Sequence, residues 1–281
     1  MTDVLEYLVQ GILLGAAYGL VALPISVVYT TTHSVDAAVG SHAVLAATTA
    51  AAVGGLSGIL LGVAAGVASS AVVGVVYLLL RSRGSVDPIT IVLATFGIAF
   101  ALQALVLLLH GREPIVGHGL ESHWNVAGIS INPLSVLNLV FGLTATAALT
   151  LLLRRTPLGR SLRACADSAL GAQLAGIPVQ LLQFTALLIG GLLAATAGVL
   201  ILYTSGVTYT SGLHITLTAI GAAVLFGFRG PVHGFVGGLL FGVVEALVTG
   251  YTSSGLAAVI PYLFIFVFLA SGRSAMVVSR A

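Results

Sequence analysis

The stretch ITIVLATFGIAFALQALVLLL, residues 89–109, decides the fold class. It contains no charged residue, and its polar side chains are confined to Thr90, Thr95 and Gln103. About 20 mostly apolar residues is the length an α-helix needs to cross the ~30 Å hydrocarbon core of a bilayer. Similar runs occupy 5–30, 37–54, 57–80, 134–153, 181–203, 213–228, 232–249 and 254–272. The second, seventh and eighth of the nine are short and glycine-interrupted. The expected fold is therefore all-α: one polytopic transmembrane domain over 1–281, with about nine spans and a range of eight to ten.

Composition agrees. The 281 residues are 58% hydrophobic and 6% charged, with a mean hydropathy of +1.15. Soluble domains carry roughly a quarter charged residues, so a water-soluble protein is excluded. The 35 glycines suit close helix approach in lipid. All ten basic residues are Arg. Without Lys there is no standard Walker A loop, no Schiff base and no pyridoxal-phosphate chemistry. A single cysteine, Cys165, excludes an intrachain disulfide and Cys-based zinc or iron–sulfur sites. A net charge of +2 is too small and too dispersed to bind nucleic acid. Met1–Gln10 carries Asp3 and Glu6 but no basic residue, so the first apolar stretch is expected to be retained rather than cleaved as a signal peptide.

The arginines set an expected topology. Arg81 and Arg83, then Arg154, Arg155, Arg160 and Arg163, then Arg229, and finally Arg273 and Arg280, all fall in loops that alternate onto one side. Cytoplasmic loops collect Arg, which puts the C-terminus inside and the N-terminus outside. Arg112 is the exception, in a loop with Glu113 and Glu121. The region 33–56 is the weak point, because a re-entrant segment there changes the count.

Two hydrophilic stretches interrupt the spans. The external loop, 110–133, holds Trp124 and the histidines His110, His118 and His123, whose spacing matches no standard zinc motif. The longest cytoplasmic loop, 154–180, is expected to form a helix. Thr156 serves as N-cap, Pro157 takes the first helical position, and Gly176 and Pro178 stop it. Leu158, Leu162, Ala166, Leu170 and Leu174 recur at steps of four and make one apolar stripe, while Arg160, Arg163 and Asp167 share another face. Such a helix suits docking on a partner protein better than lying on lipid, where larger apolar residues are favoured.

Spans one to four and six to nine also show an internal echo. Gly11–Ala17 is similar to Gly190–Ala195, and each of those spans ends in Tyr-Thr (Tyr29-Thr30, Tyr203-Thr204) before a polar, glycine-containing stretch. On the topology above the repeat is inverted, with the fifth span between its halves. Short, broken helices in inverted halves are a mark of transporters.

Intramembrane polar groups are the functional candidates, because a charge in a span is costly. Asp36 opens the second span, where its carboxylate suits capping a broken helix and alternatively lines a pathway. Glu245 lies in the eighth span. Ser41, Thr95 and Gln103 complete the pathway candidates, and His214 and Thr218 border spans. No catalytic motif is present. A chain so poor in intramembrane charge either conducts passively or draws energy from elsewhere.

Three segments resemble a known family. Leu158–Asp167 and Ala175-Gly176-Ile177 are similar to its cytoplasmic G-R-x-x-R-A-x-A-x-D/E…G-I run. Gly221–Gly242, followed by Glu245-Ala246, is similar to a glycine-rich segment, and Thr95–Ala99 to its T-I-G-x-S. The family is the inner-membrane permease of bacterial ABC importers for branched-chain amino acids, the LivH/LivM type. One segment departs: Val35–Ser41 looks more like the D-L-S-V-G-S segment of related sugar permeases, which leaves urea, other small amides and sugar-like solutes open. The resemblance implies a transport subunit, not an enzyme, in the bacterial inner membrane. It implies that ATP and Mg belong to two separate ATPase subunits, with no cofactor in this chain. Segment 157–177 is implied to be the coupling helix, with Arg160, Arg163, Asp167, Leu170, Leu174 and Gly176 facing the ATPase. A second permease chain, copy or paralogue, is implied to complete the pathway, with an extracytoplasmic solute-binding protein touching 110–133. A stand-alone channel or facilitator is the alternative. An intramembrane enzyme built on Asp36, His33 and His42 is a third.

Overall fold

The computed structural model describes residues 2–251, except 83, 85, 86, 118–123, 127, 128, 227 and 229, together with Leu263, Phe266 and Val267. The helices are α1 (Thr2–Thr32), α2 (Val39–Val53), α3 (Gly55–Ser82), α4 (Pro88–His110), α5 (Pro133–Arg155), α6 (Pro157–Asp167), α7 (Ala169–Leu174), α8 (Val179–Thr204), α9 (Ser211–Val224) and α10 (Pro231–Tyr251). Between α4 and α5, β1 (Trp124–Val126) and β2 (Ile129–Ile131) pair antiparallel with Asn125 opposite Ser130. The fold is otherwise helical, so the all-α expectation needs this one addition in the 110–133 loop.

Among the described residues, six helices are long and apolar enough to cross a membrane: Glu6–Thr32 of α1, then α3, Ile89–His110 of α4, α5, α8 and α10. The runs at 37–54 and 213–228 behave differently. They form α2 and α9, with 15 and 14 residues. At 1.5 Å per residue each is only about 22 Å long, short of a ~30 Å core. Each follows a non-helical stretch, 33–38 and 205–210. The expected ninth span, 254–272, lies almost entirely outside the described residues.

Backbone proximity organises the bundle. α1 is buried along most of its length and runs antiparallel to α10, its main neighbour. A Cβ on Gly15 would sit 2.7 Å from Leu239 Cα, and one on Gly11 would sit 2.7 Å from Val243 Cα. Lipid tails are as apolar as Leu, so helices gain little by hiding apolar surface from them; close van der Waals packing through small residues supplies the association instead. α8 uses the same device against α3, where Gly191 packs on Ser70, Gly66 packs on Ala195, and the Ser70 hydroxyl donates to Leu187 O at 2.7 Å. α4 and α5 form the rim, with Leu93, Phe100, Leu108, Val140 and Leu151 exposed. The α2–α3 turn needs glycine: Gly54 and Gly55 have φ of 72° and 62°, in the left-handed region where a side chain is penalised.

The 154–180 loop differs from the single helix expected. Thr156 does cap α6, accepting from Gly159 N at 3.0 Å, and Pro157 opens it. The helix then breaks at Ser168, which is extended (φ −158°, ψ 107°) and whose hydroxyl accepts from Gly171 N at 3.0 Å to cap a new helix, α7. A serine hydroxyl competes with the helix ladder for backbone N–H groups, and here it wins. The leucine stripe divides with the helix. Leu162 is 1% exposed against the bundle, whereas Leu170 and Leu174 are 69% and 82% exposed. Gly176, with φ 79°, ends α7 as expected.

Candidate functional site

The start of α2 crosses the start of α9 inside the bundle. A methyl group on Gly40 would strike Gly212 O, so the two backbones touch. Polar groups satisfy one another around this contact. Thr216 Oγ1 on α9 accepts from Gly40 N at 2.9 Å and donates to Ala37 O at 3.2 Å. Thr95 Oγ1 on α4 accepts from Ala37 N at 3.1 Å, and the Ser41 hydroxyl donates to Ala99 O at 3.3 Å. Asp36 Oδ1 accepts from Ala38 N at 2.9 Å and closes a turn just before α2, whose N-cap residue, Ala38, makes no side-chain cap; the expected capping of α2 by Asp36 is thus replaced by a turn.

Asp36, Ser41 and Thr95, chosen separately from the sequence, thus converge on one buried junction. His42, fully buried, joins it. Its Nδ1 lies 2.8 Å from the Ser69 hydroxyl, which donates to Gly66 O at 2.8 Å. A hydroxyl has one proton, so Ser69 accepts here and Nδ1 is the donor nitrogen. Nε2 lies 3.5 Å from Asp36 Oδ2 and has no hydrogen-bond partner. Gln103 is half-buried on α4 outside this cluster. Glu245 lies on α10, where it accepts from the Tyr18 hydroxyl at 3.1 Å. Ser69 and Thr216 are the junction residues that sequence reasoning passed over, and His42 entered it only in the enzyme alternative. Their signal was a polar residue inside an apolar helix, which is more often a helix–helix hydrogen bond than a site.

A second polar tie holds the end of α1. Arg81 donates to the Tyr77 hydroxyl at 2.7 Å and to Gln183 Oε1 at 3.1 Å, and Gln183 Nε2 donates to Thr31 O at 3.3 Å. Three helices are thereby joined where α1 stops.

Two cavities open at opposite ends of the bundle. The one at the arginine-bearing end encloses about 750 Å³ among the ends of α1 and α5, α6 and the start of α10; Arg154, Arg160, Arg163, Asp167 and His233 line it. The other, about 460 Å³, lies between α1, the start of α5, the end of α8 and the start of α9. The bridge between Ile115 and Val207 puts the loop after α4 at this second end. Among the described residues no group of three or more His, Cys, Asp or Glu is placed to hold a metal. His118 and His123 lie outside the described residues.

Six helices of membrane-crossing length, two half-helices that meet inside the bundle and a capped element at the arginine-bearing end make up the described fold. The family model described as branched-chain amino acid transport system / permease component matches residues 7–270. The chain belongs to this permease family. The permease is 27% identical over 284 positions to the high-affinity branched-chain amino acid transport system permease protein LivH of Escherichia coli K12, which covers 94% of this chain and 92% of the relative. It is 29% identical over 264 positions to the corresponding protein BraD of Pseudomonas aeruginosa, covering 86% and 85%. A probable LivH of Methanocaldococcus jannaschii is 27% identical over 248 positions, covering 84% and 78%.

The coupling set named from the sequence divides in this permease. Arg160, Arg163 and Asp167 are exposed on α6 and line the larger cavity, whereas Leu170 and Leu174 stand exposed on α7. Cys165, between the arginines and the bundle, is buried, and burial pushes its thiol pKa up.

Proposed function

We propose that the permease is the membrane subunit of an ABC importer that moves branched-chain amino acids into the cytoplasm, with ATP and Mg held by two separate ATPase subunits. The family match over residues 7–270 carries this reading. Supporting it, α6 and α7 present exposed arginines and leucines at one end, a surface suited to a groove on a partner. Arg81, Arg154, Arg155, Arg160 and Arg163 share that end and Arg112 the other, which favours the arginine-bearing end as cytoplasmic.

On this reading α2 and α9, each with its preceding non-helical stretch, complete two further crossings, and 254–272 supplies a ninth that brings the C-terminus inside. An inverted repeat is supported by reciprocal packing: α1 rests on α10 as α8 rests on α3, and the half-helices α2 and α9 cross at Gly40 and Gly212. Asp36, Ser41 and Thr95 hold the start of α2 in register beside the pathway. Glu245 borders the outer half through Tyr18, and Gln103 faces the pathway from α4. A second permease chain and an extracytoplasmic binding protein complete the importer.

The test is leucine uptake into vesicles carrying the assembled importer. Uptake requires the ATPase and is lost in Arg163→Glu. Leucine leaking through the permease alone, indifferent to both changes, overturns the proposal in favour of a facilitator.

A further inference from the structure

The cavity at the arginine-bearing end carries charge that the fold does not use. Arg154 on α5 and Arg160 and Arg163 on α6 line it, and Asp167 is the one carboxylate in its wall. Among the described residues none of the three guanidinium groups has an ion-pair or hydrogen-bond partner. Arg81, at the same end, differs: it donates to Tyr77 and Gln183. The three arginines are exposed, so a ligand can reach them. Several planar forks of donors around one space match a phosphate, whose oxygens they bond bidentately.

A second feature is continuous with this one. An apolar groove of about 560 Å³ runs between α5 and α10, and Thr150, Arg154 and Val232 line both the groove and the basic cavity. Leu143, Ala147, Leu151 and Arg154 follow one another along α5 at steps of three and four and form one wall; Val236 and Leu239 stand in the other. Leu143, Leu151 and Val236 are exposed, so the groove opens toward the lipid side. From Leu143 to Arg154 the helix rises about 16 Å, half of a ~30 Å hydrocarbon core and so the depth of one leaflet. Arg154 lies in the last turn of this span, where the hydrocarbon ends. Basic pockets between spans take anionic headgroups.

We propose that cavity and groove together hold one anionic phospholipid, with its phosphate among Arg154, Arg160 and Arg163 and an acyl chain along α5 and α10. The phosphate then bridges α5 and α6. The inference rests on membrane residence and is independent of the solute and of ATP hydrolysis. Arg154 lies outside the residues assigned to the ATPase, so it carries the test.

That test is native mass spectrometry of the full-length permease, stripped of co-purified lipid in detergent and titrated with dioleoyl phosphatidylglycerol or dioleoyl phosphatidylcholine. One phosphatidylglycerol molecule is expected to bind more tightly than any phosphatidylcholine. Arg154→Gln should weaken that binding about tenfold or more, the effect of losing a hydrogen bond to a charged group. Arg154→Lys, which keeps the charge, should stay nearer wild type and shows that the Gln variant does not act through misfolding. Ala147→Trp fills the groove and should weaken binding too, whereas Ala148→Trp, at an exposed α5 position outside the groove, should not. Equal affinity for the two lipids overturns the proposal. So does an affinity that Arg154→Gln leaves unchanged, or that both tryptophan variants reduce alike, since the lipid is then bound elsewhere. Displacement of the lipid by inorganic phosphate assigns the cavity to a free anion, and a permease dimer that excludes the lipid assigns the groove to a second chain; either result also overturns it.

Discussion

The α2–α9 crossing and the α6–α7 element are both short-helix structures in a bundle of long ones, and they are built oppositely. At the crossing the backbones touch through Gly40 and Gly212, and the carboxylate of Asp36 and the hydroxyls of Thr95 and Thr216 are used up within the protein. On α6 and α7 only one side is committed to the bundle, through Gly159, Leu162 and Cys165, while Arg160, Arg163, Leu170 and Leu174 face outward. A polar group in lipid must be satisfied from inside the protein, whereas one in water need not be. The crossing is accordingly closed on itself, and the α6–α7 element leaves one face exposed.

Substitutions can break that contrast. The largest effect is expected from Gly40→Leu. The added side chain has no room against Gly212 O, overpacking of this kind costs about 1–3 kcal/mol or more, and the measurement is the yield of monodisperse protein in mild detergent. Arg163→Glu should leave that yield unchanged but weaken ATPase binding by about 2 kcal/mol or more, near thirtyfold, in a pull-down titration. Thr216→Val leaves Gly40 N and Ala37 O without their partner, and a thermal melt should report a loss of about 1–3 kcal/mol. Asp36→Ala removes the acceptor of Ala38 N just before α2 and should cost about 1 kcal/mol in the same melt, with Asp36→Asn close to wild type because the amide oxygen still accepts from Ala38 N. The smallest effect concerns Cys165. Because burial raises its thiol pKa, maleimide labelling in the intact permease should stay slow at pH 7 and rise with pH, and an ordinary exposed-cysteine rate at pH 7 would contradict the seating of α6 on the bundle.

Parts of both regions were legible in the chain. The Thr156-Pro157 start of α6 could be read because capping is local: the acceptor and its N–H donor lie three residues apart. The break at Ser168 is local too, but an apolar period of four concealed it, and the single stripe it suggested divides into Leu162 against the bundle and Leu170 and Leu174 exposed. Asp36 suggested a cap by its position, and its bond to Ala38 N two residues on is equally local. Its neighbourhood is not, because Thr95 lies 58 positions from Ala37 and Thr216 lies 176 positions from Gly40.

The sequence by itself determined membrane residence, the gathering of arginine between apolar runs and the lack of a lysine for a standard Walker A loop, because these follow from composition and from residue types that are present or missing. Only the tertiary structure decided that two apolar runs are half-helices and that they meet start to start. Those features depend on which backbones approach closely enough to touch, and in a bundle held by glycine contacts that choice belongs to pairs of helices rather than to any one stretch of chain.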